Sequence, residues 1–464
     1  MKLLLGFGLF LYMQEVMAFF FTGVGGKKAV RRRSSITCMS SEAISRDDFT
    51  ILDQDAYPGK PLIFLDSAAS SQKPQVVIDA MNNYYKEDNA NVHRGAYSLA
   101  NRATEKYEAA RDEVAMLLNA NRRDEIIFTR GATEAMNLVA QSWAQRLQEG
   151  DEIIVSVMDH HSNMVPWQML AQRTGVVVRY VRLTADTQEL DLEHYKSLLG
   201  PKTRLVSIAH ASNVLGTVNP VAEIIRMAKA LPHEVVVMLD ACQSVPHMPV
   251  DVQALGCDFL AASGHKMCGP TGVGFLWAKY DILCSMPPVD GGGEMIDTVT
   301  LEGSTYALPP SRFEPGTPAI AECVGLAAAV RYIRRIGLDT IYAHEKELGR
   351  YLYEQLQEMS DATGANLTLY GPPASSGVRT GLVAFNSPTV HATDLSFFLD
   401  QEGVAVRTGH HCCQPLHTEL GAQGSMRASL YFYNSKSDVD TFVEKLQGVL
   451  AMFQDMQGGG VLEI

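Results

Sequence analysis

Residues 235–240 read Val235-Val236-Val237-Met238-Leu239-Asp240, five apolar residues followed by a carboxylate. A short apolar run that is rich in β-branched residues and shows no alternation is typical of a strand covered on both faces. Such strands occur in parallel sheets that carry helices on both sides. The stretch therefore predicts an α/β fold and places Asp240 at the carboxyl end of a buried strand.

Short β-rich runs and longer amphipathic stretches alternate on both sides of this strand. Further strands are predicted at Glu125–Phe128, Glu152–Val157, Val176–Val181, Arg204–Ile208, Phe259–Ala262 and Val273–Trp277. Helices are predicted after Thr133, Asn163, Leu190 and Pro220. We expect these elements to form a large domain with a mostly parallel sheet.

The pattern changes after two passages rich in Gly and Pro, at residues 287–293 and 309–318. Beyond them the sequence predicts helices at Ala319–Ile336 and Asp339–Met359, strands at Gly381–Phe385 and Val404–Arg407, and a last helix from Asp438. This order of elements predicts a smaller α+β domain at the C-terminal end.

The composition, net charge and cysteine spacing exclude or disfavour several classes of protein. Hydrophobic residues make up 46% and charged residues 20% of the 464, which is typical of a globular protein and excludes a disordered or polytopic membrane chain. The formal net charge of −13 disfavours a nucleic-acid partner. The eight cysteines include no CxxC pair and no Cys/His cluster at zinc-finger spacing, so we expect neither a disulfide scaffold nor a metal site.

The first 40 residues differ in kind from the rest. Lys2 precedes an apolar run over residues 3–13, as in a signal peptide, and residues 27–35 are rich in Lys, Arg and Ser, as in a transit peptide. Together, these two segments resemble the bipartite leader of proteins that are targeted to plastids acquired by secondary endosymbiosis. In such a leader, Ala18-Phe19 would be the first cleavage site. It predicts a plastid (chloroplast stroma) location, with no membrane segment in the mature form. A lone secretory signal followed by a basic mature end is the alternative, and a mitochondrial route is less favoured.

Two groups of residues predict a cofactor site. Ser263-Gly264-His265-Lys266 follows one predicted strand, and Asp240 ends another, with Gln243 shortly after. Open α/β sheets bind ligands at the carboxyl ends of their strands. Pyridoxal phosphate needs an amine for covalent attachment and a carboxylate to keep its ring nitrogen protonated. Lys266 and Asp240 supply this pair.

A phosphate site is expected near Thr129-Arg130-Gly131-Ala132-Thr133-Glu134, where a strand ends in glycine and a helix begins. The alternative is that Thr133 simply caps this helix. Asp159-His160-His161 follows the next strand at the same edge of the sheet. Its paired histidines are suited to metal binding or structural support, or to stacking on a cofactor ring.

Arg407-Thr408-Gly409-His410-His411-Cys412-Cys413 predicts a nucleophile. Histidine next to cysteine, with arginine close by, favours the thiolate. The alternative is a buried, inert thiol. A disulfide between neighbouring cysteines would be strained, so we expect one thiol to act alone.

Together these motifs resemble those of pyridoxal-phosphate-dependent cysteine desulfurases of the SUF type, related to NifS and to selenocysteine lyases within the class V aminotransferases. The resemblance covers residues 64–450. Its motifs are Leu65 to Ala69, Val92 to Gly95, Arg130 to Glu134, His160 to Asn163, Ser212 to Thr217, Ser263 to Lys266, Glu314 to Pro318, Arg407 to Cys412 and Arg427 to Ser429.

The resemblance implies a fold of the PLP-dependent aminotransferase type (fold type I), divided into four segments. They are a targeting leader over 1–40, an N-terminal segment over 41–76 that packs with the small domain, a large cofactor-binding domain over 77–310, and a small domain over 311–464 that carries Cys412. The implied activity converts L-cysteine to L-alanine with a persulfide on Cys412, for iron-sulfur cluster assembly.

The resemblance also implies a role for each site residue. Lys266 would bind the cofactor and move the Cα proton, Asp240 would pair with the ring nitrogen, Gln243 would bond the ring hydroxyl, and His160 would stack on the ring and handle the thiol proton. Ala132, Thr133, Ser263 and His265 would hold the phosphate, with Thr317 reaching in from the other protomer of a homodimer. Asn213, Arg407 and Arg427 would bind the substrate, and a SufE- or SufU-like protein would accept the sulfur.

Three other functions stay open at this point. Selenocysteine lyase activity on L-selenocysteine is the nearest, a class V transaminase would ignore Cys412, and a non-enzymatic sulfur-transfer scaffold would not need the cofactor pocket. Two residues also depart from the family pattern. Cys242 lies where relatives have a small residue beside the expected cofactor, and Cys413 offers a second thiol next to Cys412.

Overall fold

The computed structural model describes residues 45–457, so the predicted leader lies outside the described residues. The strands are β1 (Asp55–Tyr57), β2 (Lys60–Pro61), β3 (Ile63–Phe64), β4 (Ile126–Thr129), β5 (Glu152–Ser156), β6 (Val177–Val181), β7 (Thr203–Ala209), β8 (Val236–Asp240), β9 (Phe259–Ser263), β10 (Gly274–Ala278), β11 (Ile296–Val299), β12 (Ser304–Tyr306), β13 (Thr368–Tyr370), β14 (Leu382–Asn386), β15 (Val404–Ala405), β16 (Arg407–Gly409) and β17 (Ser425–Ser429). The α-helices are α1 (Gln75–Asn83), α2 (Ser98–Leu117), α3 (Ala132–Trp143), α4 (Val165–Thr174), α5 (Leu192–Leu198), α6 (Val221–Lys229), α7 (Val252–Leu255), α8 (Tyr280–Ser285), α9 (Ile320–Ile336), α10 (Leu338–Thr363), α11 (Ala392–Gln401), α12 (Gln414–Glu419) and α13 (Lys436–Gln457).

The main sheet has seven strands in the order β4-β10-β9-β8-β7-β5-β6. Only β10 runs antiparallel to its neighbours. The strand β8 lies in the middle, and its alternate residues enter two different cores: Val237 and Leu239 pack into one, Val236 and Met238 into the other. An unbroken apolar run is needed because both faces of the strand are covered. The predicted α/β architecture is confirmed.

A second, antiparallel sheet has the strand order β13-β14-β17-β16. Helices α10, α11 and α13 cover it, and Leu352, Phe385 and Phe442 belong to its core. The strand predicted at Val404–Arg407 is divided in the structure. Its first part, β15, pairs in parallel with β3, whereas β16 pairs with β17. The chain changes partners at Val406, which a pattern of apolar residues does not reveal.

The N-terminal segment lies against the second sheet. Ile63 pairs with Val404, Phe49 packs on Tyr433 with ring centroids 4.8 Å apart, and Asp66 forms a bridge with Ser429. Residues 45–457 all fall in one compact unit, so the domain boundaries stay a prediction. Within these residues, no helix has both the length and the apolar character that a membrane span requires.

Candidate active site

A cavity of about 280 Å³ lies at the carboxyl edge of the main sheet, where β5, β7, β8 and β9 end. All predicted site residues except Thr317 line it: Ala132, Thr133, His160, Asn213, Asp240, Gln243, Ser263, His265, Lys266, Arg407, Cys412 and Arg427. Thr317 lines a neighbouring cavity of about 920 Å³, whose wall also includes Thr133, Ser263 and His265. Residues from both sheets therefore meet in one place.

Lys266 ends a short 3-10 turn, Gly264–Lys266, that directly follows β9. A side chain at Gly264 would bring a Cβ within 2.9 Å of the Val273 carbonyl oxygen, so glycine is required there. Ser71 forms hydrogen bonds to the backbone on both sides of Lys266 in the chain. Its N–H and Oγ donate to the His265 carbonyl at 3.0 and 3.1 Å, and the Cys268 N–H donates to its Oγ at 2.8 Å. No sequence pattern indicated this role of Ser71, because it is almost 200 residues from the turn.

Asp240 ends β8 with 5% of its surface exposed, and its Oδ1 accepts a hydrogen bond of 3.0 Å from the Cys242 N–H. No described Lys, Arg or His side chain lies within ion-pair distance of it. A buried carboxylate without a cation is costly, so this site fits a ligand that brings a positive charge, such as a protonated pyridine nitrogen. Gln243 Nε2 donates to the Ala68 carbonyl at 2.8 Å.

The expected phosphate site lies at the start of α3. The helix begins at Ala132, whose N–H donates to Ser263 Oγ at 2.9 Å, so Thr133 lies inside the first turn and does not cap it. Burial and the charge of Lys266 lower the pKa of His265 to about 4. His265 is therefore neutral and suited to donating a hydrogen bond. First-turn N–H groups and the helix dipole favour an anion here.

His160 lies in a turn after β5, and its Nδ1 accepts a hydrogen bond of 3.1 Å from the Ser162 N–H. Burial and the nearby Lys266 lower the pKa of His160 to about 4. The neutral ring therefore carries its proton on Nε2. The described residues contain no group of three or more His, Cys, Asp or Glu side chains that could hold a metal ion.

The segment that carries Cys412 is short and anchored. His411 and Cys412 both adopt left-handed backbone conformations, with φ of 50° and 56°. Three hydrogen bonds hold the segment: His161 N–H to the Cys412 carbonyl (2.7 Å), Asn213 Nδ2 to the His411 carbonyl (2.8 Å), and Gln414 N–H to His161 Nε2 (3.0 Å). Two successive left-handed residues without glycine are unfavourable, so these bonds are needed to keep the backbone in place. His161 is a positioning residue, and structural support was one of the roles that the sequence left open for the paired histidines.

The histidine beside Cys412 does not supply positive charge. The His411 ring bonds Ser425 through Nε2 at 3.1 Å, and burial lowers its pKa to about 2. The expectation that a neighbouring histidine favours the thiolate is therefore wrong for His411. Arg407 lines the same cavity as the exposed Cys412 and interacts with it electrostatically, so it is a cation that can favour the thiolate.

The two additional thiols are held in their protonated form. Burial raises the pKa of Cys242 to about 12. Cys413 is fully buried, its Sγ donates to Asn213 Oδ1 at 3.1 Å, and burial raises its pKa as well. Both side-chain polar groups of Asn213 therefore bond the Cys412 segment, and its predicted contact with substrate stays a prediction.

Arg427 is almost fully buried, at 2% exposure, and its guanidinium group lies between Asn213 and Asp66. Its Nη1 donates to the Asn213 carbonyl at 2.9 Å and its Nη2 to Asp66 Oδ1 at 3.1 Å, while its Nε has no partner among the described residues. An unpaired buried N–H is costly, so this edge of the guanidinium fits an anionic ligand group. The sequence motif contained Asp66, but its contact with the arginine was not foreseen.

Comparisons with known proteins agree with this geometry. Residues 63–442 match the family model Aminotransferase class-V, and the chain belongs to this family. The probable cysteine desulfurase of Synechocystis sp. is 51% identical over 418 residues, which cover 90% of this chain and 97% of that protein. The cysteine desulfurase of Haloferax volcanii is 46% identical, over 88% of this chain and 96% of that protein. Within the class V family, the chain belongs with the cysteine desulfurases.

Solved structures give the same result. The apo cysteine desulfurase of Thermococcus onnurineus NA1 has a TM-score of 0.80 at 38% identity, covering 84% of this chain and 95% of that one. The cysteine desulfurase CsdA of Escherichia coli has a TM-score of 0.78 at 37% identity, covering 89% and 100%. The predicted aminotransferase-like fold and family are confirmed, and pyridoxal phosphate is the expected cofactor.

Proposed function

We propose that the chain converts L-cysteine to L-alanine and retains the sulfur as a persulfide on Cys412. The observation that carries this proposal is a single cavity lined by an amine, a buried carboxylate, an arginine and an exposed thiol: Lys266, Asp240, Arg427 and Cys412. When bound, pyridoxal phosphate supplies an electron sink that weakens bonds at the Cα and Cβ of an attached amino acid. The residues around it determine which bond is used.

The cavity residues divide into three groups that would hold the cofactor. Lys266 would attach it covalently, and Asp240 would neutralise its protonated ring nitrogen. Gln243 and the neutral ring of His160 would contact the aromatic ring. The phosphate would lie against Ala132, Thr133, Ser263 and His265 at the start of α3.

The remaining residues would act on the substrate. Arg427 binds the substrate carboxylate through charge-assisted hydrogen bonds. Arg407 lines the same cavity, with its Nε and Nη2 already bonded to Asp66. Lys266 Nζ takes the Cα proton, and His160 handles the proton of the substrate thiol. The Cys412 thiolate then attacks the substrate sulfur. A sulfur–sulfur bond forms as the Cβ–sulfur bond breaks, and the electron pair stays on the carbon skeleton, which is protonated and leaves as alanine.

The test uses the full chain loaded with pyridoxal phosphate and supplied with L-cysteine. We expect a visible cofactor band, alanine in the products and a persulfide on Cys412. A band without alanine would overturn the reaction, and keto-acid formation that survives in Cys412→Ala would indicate a transaminase. Alanine release from L-selenocysteine by Cys412→Ala, with none from L-cysteine, would indicate direct elimination of selenium as a second activity.

The sulfur is proposed to pass to a docked acceptor of the SufE or SufU kind, for iron-sulfur cluster assembly. In support, the Cys412 segment is short and held by Asn213 and His161, so its thiol does not reach far from the cavity. Transfer of radioactive sulfur from the persulfide to a purified acceptor tests this proposal. Transfer to free thiols at an equal rate would contradict it.

A homodimer is proposed because two parts of the described chain are exposed to solvent in a single copy. Thr317 is exposed and lines the wide cavity beside the phosphate residues. The hairpin formed by β11 and β12 presents Val299 and Leu301 to solvent, at 63% and 102% exposure. A second copy that covers this region would bury both.

A plastid location is proposed from the leader sequence alone. The test is a fusion of residues 1–40 to a fluorescent protein, expressed in an alga with a complex plastid. We expect fluorescence in the stroma, and fluorescence in the secretory pathway would contradict the proposal.

A further inference from the structure

Asp66 connects the two arginines of the cavity, although no role follows for it from the proposed chemistry. Its Oδ1 accepts from Arg427 Nη2 at 3.1 Å. Its Oδ2 accepts from Arg407 Nε and Nη2 at 3.0 and 2.8 Å. One carboxylate therefore accepts hydrogen bonds from Nε and Nη2 of Arg407 and from Nη2 of Arg427. We call the Nε and Nη2 edge of Arg407 the Arg407 fork.

The backbone around Asp66 is fixed on both sides. The Leu65 N–H donates to the Ala405 carbonyl at 2.9 Å, and the Ser67 N–H donates to the Ser429 carbonyl at 3.2 Å. The Asp66 side chain is only 16% exposed. The backbone of Asp66 is thus fixed beside the strands that carry the two arginines, and its carboxylate is held by its hydrogen bonds to both guanidinium groups.

The charge balance of the cavity depends on this carboxylate. Arg407 and Arg427 together carry two positive charges, and Asp66 cancels one of them. Arg427 keeps its Nε unpaired, whereas Arg407 has already used its Nε and Nη2 on Asp66. The described contacts therefore leave Arg427 Nε for the substrate carboxylate, whereas the Nε and Nη2 of Arg407 are already engaged.

The position of Arg407 shows where a second carboxylate would lie. Arg407 and Cys412 line the same cavity and are close enough to interact electrostatically. The side chain of a bound amino acid must extend toward Cys412 for its sulfur to be attacked. An acidic side chain would thus lie near Arg407. We infer, on the basis of the proposed function, that Asp66 is a specificity-determining residue: it occupies the Arg407 fork and so excludes amino acids with a second carboxylate.

The experiment measures binding of L-alanine and L-aspartate to the cofactor-loaded full chain, from the change each causes in the visible cofactor band. In the wild type we expect L-aspartate to bind at least about tenfold more weakly than L-alanine, because the second carboxylate meets Asp66. In Asp66→Asn the Arg407 fork is released, so we expect the ratio to shift toward L-aspartate by about tenfold or more.

Asp88→Asn is the matched control. Asp88 also bridges two cations, Arg102 at 2.7 Å and Lys106, and its side chain is 7% exposed, but it does not line the cavity. The control should leave the binding ratio within about twofold of the wild type, because its charge lies outside the cavity. The double variant Asp66→Asn with Arg407→Gln should lose the gain for L-aspartate.

Two results would overturn the inference. One is equal binding of L-alanine and L-aspartate by the wild type, which decides the question even if Asp66→Asn fails to fold. The other is an Asp66→Asn protein that keeps the cofactor band and an unchanged binding ratio. Failure of the proposed function would look different, because wild-type protein would then release no alanine from L-cysteine while the two binding constants remained measurable.

Discussion

Cys412 and Cys413 are neighbours in sequence but lie in opposite environments. Cys412 is exposed at the cavity, whereas Cys413 is buried and bonded to Asn213. We expect Cys412→Ala to keep the cofactor band and to lose at least about a thousandfold in alanine formation, because the nucleophile is gone.

The control for this prediction is Cys413→Ala, which removes a thiol that burial keeps protonated. It should retain alanine formation within about threefold of the wild type, since the hydrogen bond from Asn213 Nδ2 to the His411 carbonyl remains although the bond from Cys413 to Asn213 is lost. A persulfide found on Cys413 by mass spectrometry would contradict the assignment of Cys412 as the nucleophile.

His160 makes the stability of the cofactor-free chain depend on pH. Its pKa in the folded chain is about 4, against an ordinary value of 6.5. As pH falls from 6.5 toward 4, the unfolded chain takes up a proton that the folded chain does not, so the free energy of unfolding decreases by up to about 1.4 kcal/mol per pH unit. His160→Gln should give a shallower slope in this window in urea unfolding, and should match the wild-type slope above pH 7. Parallel slopes below pH 6.5 would contradict the lowered pKa.

At the scale of elements, the N-terminal segment supports the turn that carries Lys266. Ser71 makes hydrogen bonds on both sides of the lysine, whereas Ser70 adds a single Oγ contact of 3.2 Å to the His265 carbonyl. We expect Ser71→Ala to lower kcat about tenfold or more with little change in KM, since a small displacement of a reacting group is costly. Ser70→Ala should stay within about twofold, because one of several donors to a shared acceptor is lost. Ser71→Thr should recover much of the rate, and equal kcat values for the two alanine variants would contradict this role.

The strands and the position of the site could be predicted from the sequence, but several contacts within the site could not. Strands such as β8 were predictable because residues packed on both faces must all be apolar, and the site followed because codirectional strands end at one edge. The contacts of Ser71, Asp66 and His161 left no such pattern. Each acts through a contact with a residue far along the chain, and a hydroxyl, carboxylate or imidazole in a loop is ordinarily solvated.

The left-handed backbone at His411 and Cys412 was equally hidden from sequence reasoning. Neither residue is glycine, so local propensity favours other conformations at both positions. The hydrogen bonds from Asn213 and His161 override that preference, and they exist only once β5 and the second sheet are in place. The motif predicted a reactive cysteine, while the reason for its placement lies in tertiary contacts.

At the scale of the whole molecule, the remaining prediction concerns which subunit supplies Thr317. Thr317→Ala should weaken cofactor binding, and Cys412→Ala should abolish the reaction, so each homodimer is defective when the cofactor is limiting. If Thr317 completes the site of the partner, a mixed dimer of the two variants contains one site with every residue intact. Random mixing then restores about a quarter of the wild-type sites.

The matched control places Thr317→Ala and Cys412→Ala in the same chain and mixes it with Cys412→Ala chains, a combination that leaves no intact Cys412. It should show no recovery of alanine formation. If Thr317 instead serves the cavity of its own chain, then the first mixture also contains no intact site, because every chain carries one of the two defects. Alanine formation by the mixture at limiting cofactor therefore distinguishes the arrangements: recovery indicates a site built by two chains, and no recovery in a mixture shown by mass to contain mixed dimers would assign Thr317 to its own subunit.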